Sequence, residues 1–176
     1  MADLPLLKVV IAGDGAVGKT SLIRRYCEGK FQASRVATIG VDFATQQVQL
    51  ETGAVKLSIW DMAGQERFAV VREGFYRGSR AAALVYDVTD PQSLTDLARW
   101  RKEVLRSAPG QKLVVVGNKA DLPRTVPAKT GQAFADSVGA NFVETSALSG
   151  GGVSALFETL ARLASTSGRE KRWWES

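Results

Sequence analysis

The stretch Gly13-Asp14-Gly15-Ala16-Val17-Gly18-Lys19-Thr20 constrains this chain most, because it demands a strand before it and a helix after it. The apolar run Leu6 to Ala12 supplies the strand, and Ser21-Leu22-Ile23-Arg24-Arg25-Tyr26 has the look of a helix start. The spelling is G-x-x-x-x-G-K-[ST], a loop whose backbone N–H groups curl around anionic oxygens while the following helix aims its positive end at them. Gly13, Gly15, Ala16, Val17, Gly18 and Ser21 are expected to line a phosphate. Lys19 would reach the β and γ phosphates, and the Thr20 hydroxyl would ligate magnesium. The same residues spell G-x-G-x-x-G, which opens dinucleotide-binding folds. That alternative needs an acid roughly 20 positions on, where Gln32-Ala33-Ser34-Arg35-Val36 has none, and it has no use for Lys19-Thr20.

At 176 residues and 45% hydrophobic, without repeat or linker, the chain reads as one globular domain over residues 1–165, with a basic and aromatic tail over 166–176. The net charge of +5 invites nucleic acid, but Arg99, Arg101, Lys102 and Arg106 spread along a helix as solvated charges do, so nucleic acid is not expected. One cysteine, Cys27, cannot form an internal disulfide, and no signal peptide or long apolar span is read. A cytoplasmic monomer is the expectation.

After the first helix, Glu28-Gly29-Lys30 is a stop signal, and Phe31 to Gly40 is an irregular loop placed to act on the phosphate site. Val41 to Leu50 and Val55 to Trp60 alternate as strands, with Glu51-Thr52-Gly53-Ala54 as the turn of an antiparallel hairpin. Asp61 leaves the second strand beside the phosphate loop, where a carboxylate can hold magnesium. Gly64 can lend an N–H to a γ phosphate, and Gln65 can orient water. Arg67 to Arg80 reads as partly helical. Ala81 to Val88 and Lys112 to Gly117 are apolar enough to be strands buried on both faces. Helices follow from Asp90 to Pro109-Gly110, from Val126 to Val138 and from Val153 to Leu163, with a last strand at Asn141 to Thr145. Strands alternating with helices specify an α/β fold: a mostly parallel sheet with one antiparallel edge strand and helices on both faces.

Asn118-Lys119-Ala120-Asp121 follows the second buried strand and addresses the base. Guanine offers an N1–H and an exocyclic amine side by side, which one carboxylate accepts together. Adenine offers an acceptor there and would leave that carboxylate unpaired. Asp121 is the expected guanine reader, Asn118 braces the loop or touches the base, and the stem of Lys119 covers the ring.

With Gly13 to Thr20, Thr38-Ile39-Gly40-Val41-Asp42-Phe43, Trp60 to Phe68, Phe75-Tyr76-Arg77-Gly78, Asn118 to Asp121 and Thr145-Ser146-Ala147 in this order, the chain resembles Ras-superfamily small GTPases, most closely the Rab branch. The resemblance implies the three-layer fold of P-loop NTPases with a six-stranded sheet, and a switch that binds GTP or GDP with magnesium and hydrolyses GTP. It implies that Thr38 ligates magnesium, that Phe31 packs against guanine, and that Ser146, Ala147 and Leu148 form the loop behind the base. Effectors, exchange factors and activating proteins would meet the switch loops and an aromatic surface of Phe43, Trp60 and Tyr76. Met62, Leu148 and Arg35 depart from the usual pattern, and no terminal cysteine is available for prenylation. Arg35-x-x-Thr38 is spaced like the internal arginine of heterotrimeric G-protein alpha subunits, so Arg35 is a candidate arginine finger in cis, the alternative being a solvated loop arginine. Arg169, Lys171, Arg172 and Trp173-Trp174 fit a weak membrane contact, the alternative being a disordered end or the scar of a truncation. The competing function is a constitutively GTP-bound scaffold that does not turn over, against which Gln65, Gly15 and Thr38 argue.

Overall fold

Strand formation follows the apolar runs: β1 covers Leu6–Ala12, β4 Ala81–Asp87, β5 Lys112–Asn118 and β6 Asn141–Glu144. The alternating segments give β2, Val41–Leu50, and β3, Gly53–Met62. Between them lie α1 (Lys19–Glu28), α2 (Ala69–Phe75), α3 (Pro91–Thr95), α4 (Leu97–Ser107), α5 (Ala128–Ser137) and α6 (Val153–Thr166), with a 3-10 turn at Glu66–Phe68 before α2. This is a computed structural model, and it describes residues 3–29, 31 and 41–166.

The sheet runs β2-β3-β1-β4-β5-β6, with β2 antiparallel to β3 at one edge and every other pairing parallel. The six strands and the single antiparallel edge match the sequence expectation. Because side chains alternate across a strand, each buried strand feeds two cores. Val9, Ile11, Ala83, Val85, Val114 and Val116 pack with Leu22 of α1 and Leu156, Phe157 and Leu160 of α6. Val10, Ala12, Leu84, Tyr86 and Val115 pack on the other face with Tyr76, Leu97, Trp100 and Ala135. Met62, at the end of β3, is fully buried in this second core.

Several boundaries differ from the sequence reading. The hairpin turn is tighter: Leu50 already pairs with Gly53, so only Glu51 and Thr52 lie between the strands, and β3 runs on to include Asp61, opposite Asp42. The helix expected from Asp90 is divided at Asp96, which caps α3 and precedes α4; Asp90 itself accepts from the Gln92 N–H as an N-cap. The strands that carry functional residues all end on one edge, the carboxyl edge, where open α/β sheets place their ligands. Among the described residues, no helix is long and apolar enough to cross a membrane.

Candidate active site

The phosphate loop leaves β1 in a conformation its glycines alone allow. Gly13 has φ 146°, and a Cβ there would lie 2.2 Å from the Val85 carbonyl oxygen. Gly18, at φ 100°, is the N-cap of α1 with no side-chain cap, and a Cβ would lie 2.3 Å from Asn118 Nδ2. The loop is thus pressed between β4 and the β5 end, leaving the α1 N-terminus without a side chain over it, as an anion site requires. Ala16 adopts φ 65° without being glycine, a conformation that costs about 1–2 kcal/mol. Its carbonyl is held by Lys119 Nζ at 2.7 Å. Gly15 is exposed, and a Cβ there would meet nothing within 4 Å.

Lys19 is 6% exposed and lies along the loop, donating to the carbonyls of Gly13 and Asp14 at 2.7 Å each. Burial pulls its ammonium down to about 8, with Asp61 and Asp14 opposing that shift. Thr20 Oγ1 donates to Asp61 Oδ2 at 2.5 Å, joining the start of α1 to the end of β3. Ser21 is half-buried in the next position of the helix. Gly64 comes equally close: a Cβ would lie 2.2 Å from Gly15 N and 2.5 Å from the Asp14 carbonyl carbon. The loop bearing Gln65 therefore rests on the phosphate loop itself.

At the other end of the edge, Asn118 is a brace. Its Nδ2 donates to the Val17 carbonyl at 2.9 Å and its Oδ1 accepts from Thr145 Oγ1 at 2.9 Å, both buried. Lys119, at φ 65°, pairs with Asp87 Oδ2 at 2.8 Å. Burial would raise the Asp87 carboxyl, but hydrogen bonds from Lys119 and Thr89 outweigh it and hold it low. Asp121 is exposed and is oriented by Ser146 Oγ, which donates to its Oδ1 at 2.8 Å. Ala147 is buried beneath, while Leu148 is 52% exposed. Phe31 is 38% exposed. Thr38 and Arg35, with the rest of residues 32–40, lie outside the described residues, as does the tail from 167 on.

One expected surface residue is misplaced. Tyr76, the C-cap of α2, is fully buried and donates its hydroxyl to Glu103 of α4. The aromatic surface instead consists of Phe43, 62% exposed, stacked at 5.3 Å on Trp60, which meets Phe75 at 5.4 Å. Sequence reasoning also passed over Asp14, Arg72, Asp87, Trp100 and Glu103. Arg72 is 1% exposed and links the Gln65 loop to α4, while Trp100 Nε1 donates to Asp14 Oδ1 at 2.8 Å. Asp87, an acid ending an otherwise apolar run, was the one with a visible signal.

A sequence model of the Ras family matches residues 8–166. The chain belongs to the Ras family. It is 44% identical to the Ras-related protein Rab-11C of Dictyostelium discoideum, over 88% of this chain and 70% of that one. Against the Ras-related protein SEC4 of Saccharomyces cerevisiae it is 42% identical, over 90% of this chain and 74% of the relative. A third, the Ras-related protein RAB1BV of Beta vulgaris, is 41% identical over 89% and 75%. This Rab-like member of the Ras family is a GTP-binding switch that hydrolyses GTP. Ras-family GTPases bind guanine nucleotides and magnesium, and those of the Rab type act with effectors, exchange factors and activating proteins. The donor set here fits that ion: a hydroxyl and a carboxylate, with no cluster of three or more His, Cys, Asp or Glu among the described residues. Magnesium is held by one or two such oxygens together with phosphates and water.

Proposed function

We propose that the residues of this edge divide the work of GTP hydrolysis as follows. The loop from Gly13 to Gly18, with Thr20 and Ser21, cradles the phosphates. Lys19 turns from the loop carbonyls to the β and γ phosphates, and Gly64 lends its N–H to the latter. Thr20, Asp61 and Thr38 hold magnesium, which neutralises charge developing on the phosphates. Gln65 orients the attacking water over Gly15, whose lack of a side chain leaves the approach open. Arg35 adds charge in cis. Asp121 reads guanine, with Phe31, Lys119, Ser146, Ala147 and Leu148 enclosing the base and Asn118 fixing the loop beneath it.

The observation that carries this reading is the hydrogen bond between Thr20 and Asp61, which brings the two oxygen donors together beside a buried lysine. Catalysis by positioning and charge needs no covalent group from the protein, and without an arginine finger turnover is slow, roughly 10⁻⁴ per second, rising to roughly 10⁻² with one in cis. Single-turnover hydrolysis by Arg35→Ala measures that contribution. Partners dock on the switch loops and the patch of Phe43 and Trp60, extended by Phe75, and the chain acts as a monomer.

Magnesium dependence tests the site. Chelation is expected to speed GDP release from the wild type, while Asp61→Ala releases GDP fast with or without the ion. Magnesium-independent release by the wild type, or an Asp61→Ala protein that responds to magnesium as the wild type does, contradicts the assignment.

A further inference from the structure

Arg72 is the second-largest fully buried side chain of the described molecule, and its guanidinium is divided between two tasks. Nε and NH2 make a two-pronged pair with Glu103 of α4, at 3.0 and 2.7 Å. NH1 donates to the carbonyls of Ala63 at 2.8 Å and Gln65 at 2.7 Å, one on either side of Gly64. Four of its five donors are thereby placed. Its Cζ lies 4.4 Å from the Trp100 ring centre, and the indole N–H of that ring holds Asp14 of the phosphate loop.

We propose that Arg72 is a positioning residue for hydrolysis: anchored by Glu103, it fixes the Ala63-Gly64-Gln65 backbone and so sets where the Gln65 amide stands. Burying an ion pair contributes little to stability that apolar packing could not, so its two carbonyl bonds astride Gly64 are the distinguishing feature. Gly64 is pressed on Gly15 from one side and gripped by Arg72 from the other. A lysine cannot reproduce the fork, being a point charge with tetrahedral donors. The inference rests on the proposed role of Gln65, since Arg72 acts only through it.

Single-turnover GTP hydrolysis by Arg72→Lys and Glu103→Gln, each made also in a Gln65→Ala background, provides the test. Arg72→Lys is expected to lower the rate roughly tenfold or more, as misplacing a reacting group does, with GTP and GDP affinity unchanged. In the Gln65→Ala background neither substitution should lower the rate further. Wild-type hydrolysis by Arg72→Lys, or an equal further loss without Gln65, overturns the positioning role alone. An undiminished rate in Gln65→Ala itself overturns the reading of Gln65 and this inference with it. Should Arg72→Lys not fold, Glu103→Gln carries the same comparison, because it keeps size while turning one of the two accepting oxygens into a donor and removing the charge that anchors the guanidinium.

Discussion

Asp14 lies within the phosphate loop, yet its carboxylate serves α4: it accepts from Trp100 Nε1 at 2.8 Å and approaches Arg99 at 3.4 Å. Burial pushes its carboxyl up to about 6, the hydrogen bond with Asp96 adds to that, and Trp100 and Arg99 oppose it. A carboxyl raised in the folded state favours folding in its protonated form. That contribution is complete below the unfolded value near pH 4 and is lost as pH rises through about 6. Asp14→Asn should therefore remove that contribution, seen as a urea midpoint that falls less than the wild type's between those values. Gly64 gives a second prediction. A methyl group 2.2 Å from Gly15 N must displace one of the two loops, so Gly64→Ala should lower single-turnover hydrolysis by roughly tenfold to a hundredfold. At this scale the bends at Gly13 and Gly18 and the start of α1 at Lys19 and Thr20 were legible, because local spacing sets them. Arg72, Trp100 and Glu103 were not, since nothing in their own neighbourhoods says that distant segments bring them together.

Among the elements, the β4 and β5 ends are tied by Lys119, which spans from Asp87 to the Ala16 carbonyl. A carboxyl held low by such partners stabilises above its unfolded value near pH 4 and loses that effect as pH falls through its lower folded value. Asp87→Asn should cost about 1–3 kcal/mol at neutral pH, measured by urea unfolding, with the difference from wild type shrinking in acid. Nucleotide release should also quicken, because the loop carbonyl loses its anchor. Apolar runs and periodicity located every strand of the described residues, but not their ends, and read α3 and α4 as one helix. The hairpin turn shortened because pairing extends as far as two chains can stay in register. The expected aromatic surface failed at Tyr76 because successive residues at a helix end point about 100° apart, so Tyr76 enters the core while Phe75 packs half-buried against Trp60.

Across the whole molecule, one sheet presents the phosphate loop, the oxygen pair of Thr20 and Asp61, and the Asp121 loop on a single edge. That convergence was legible because parallel strands joined by helices leave their carboxyl ends on one side. The two cores were legible from buried runs, while the buried polar link from α4 to both loops was not. On this edge GTP is hydrolysed, and Asp121 is the proposed reader of its guanine. Single-turnover phosphate release from GTP and from ATP, with magnesium, by the wild type and by Asp121→Ala tests it most directly. The wild type should release phosphate from GTP and not from ATP, and Asp121→Ala should bind GTP about a hundredfold or more weakly. Equal release from ATP, or undiminished GTP binding by Asp121→Ala, would contradict the account.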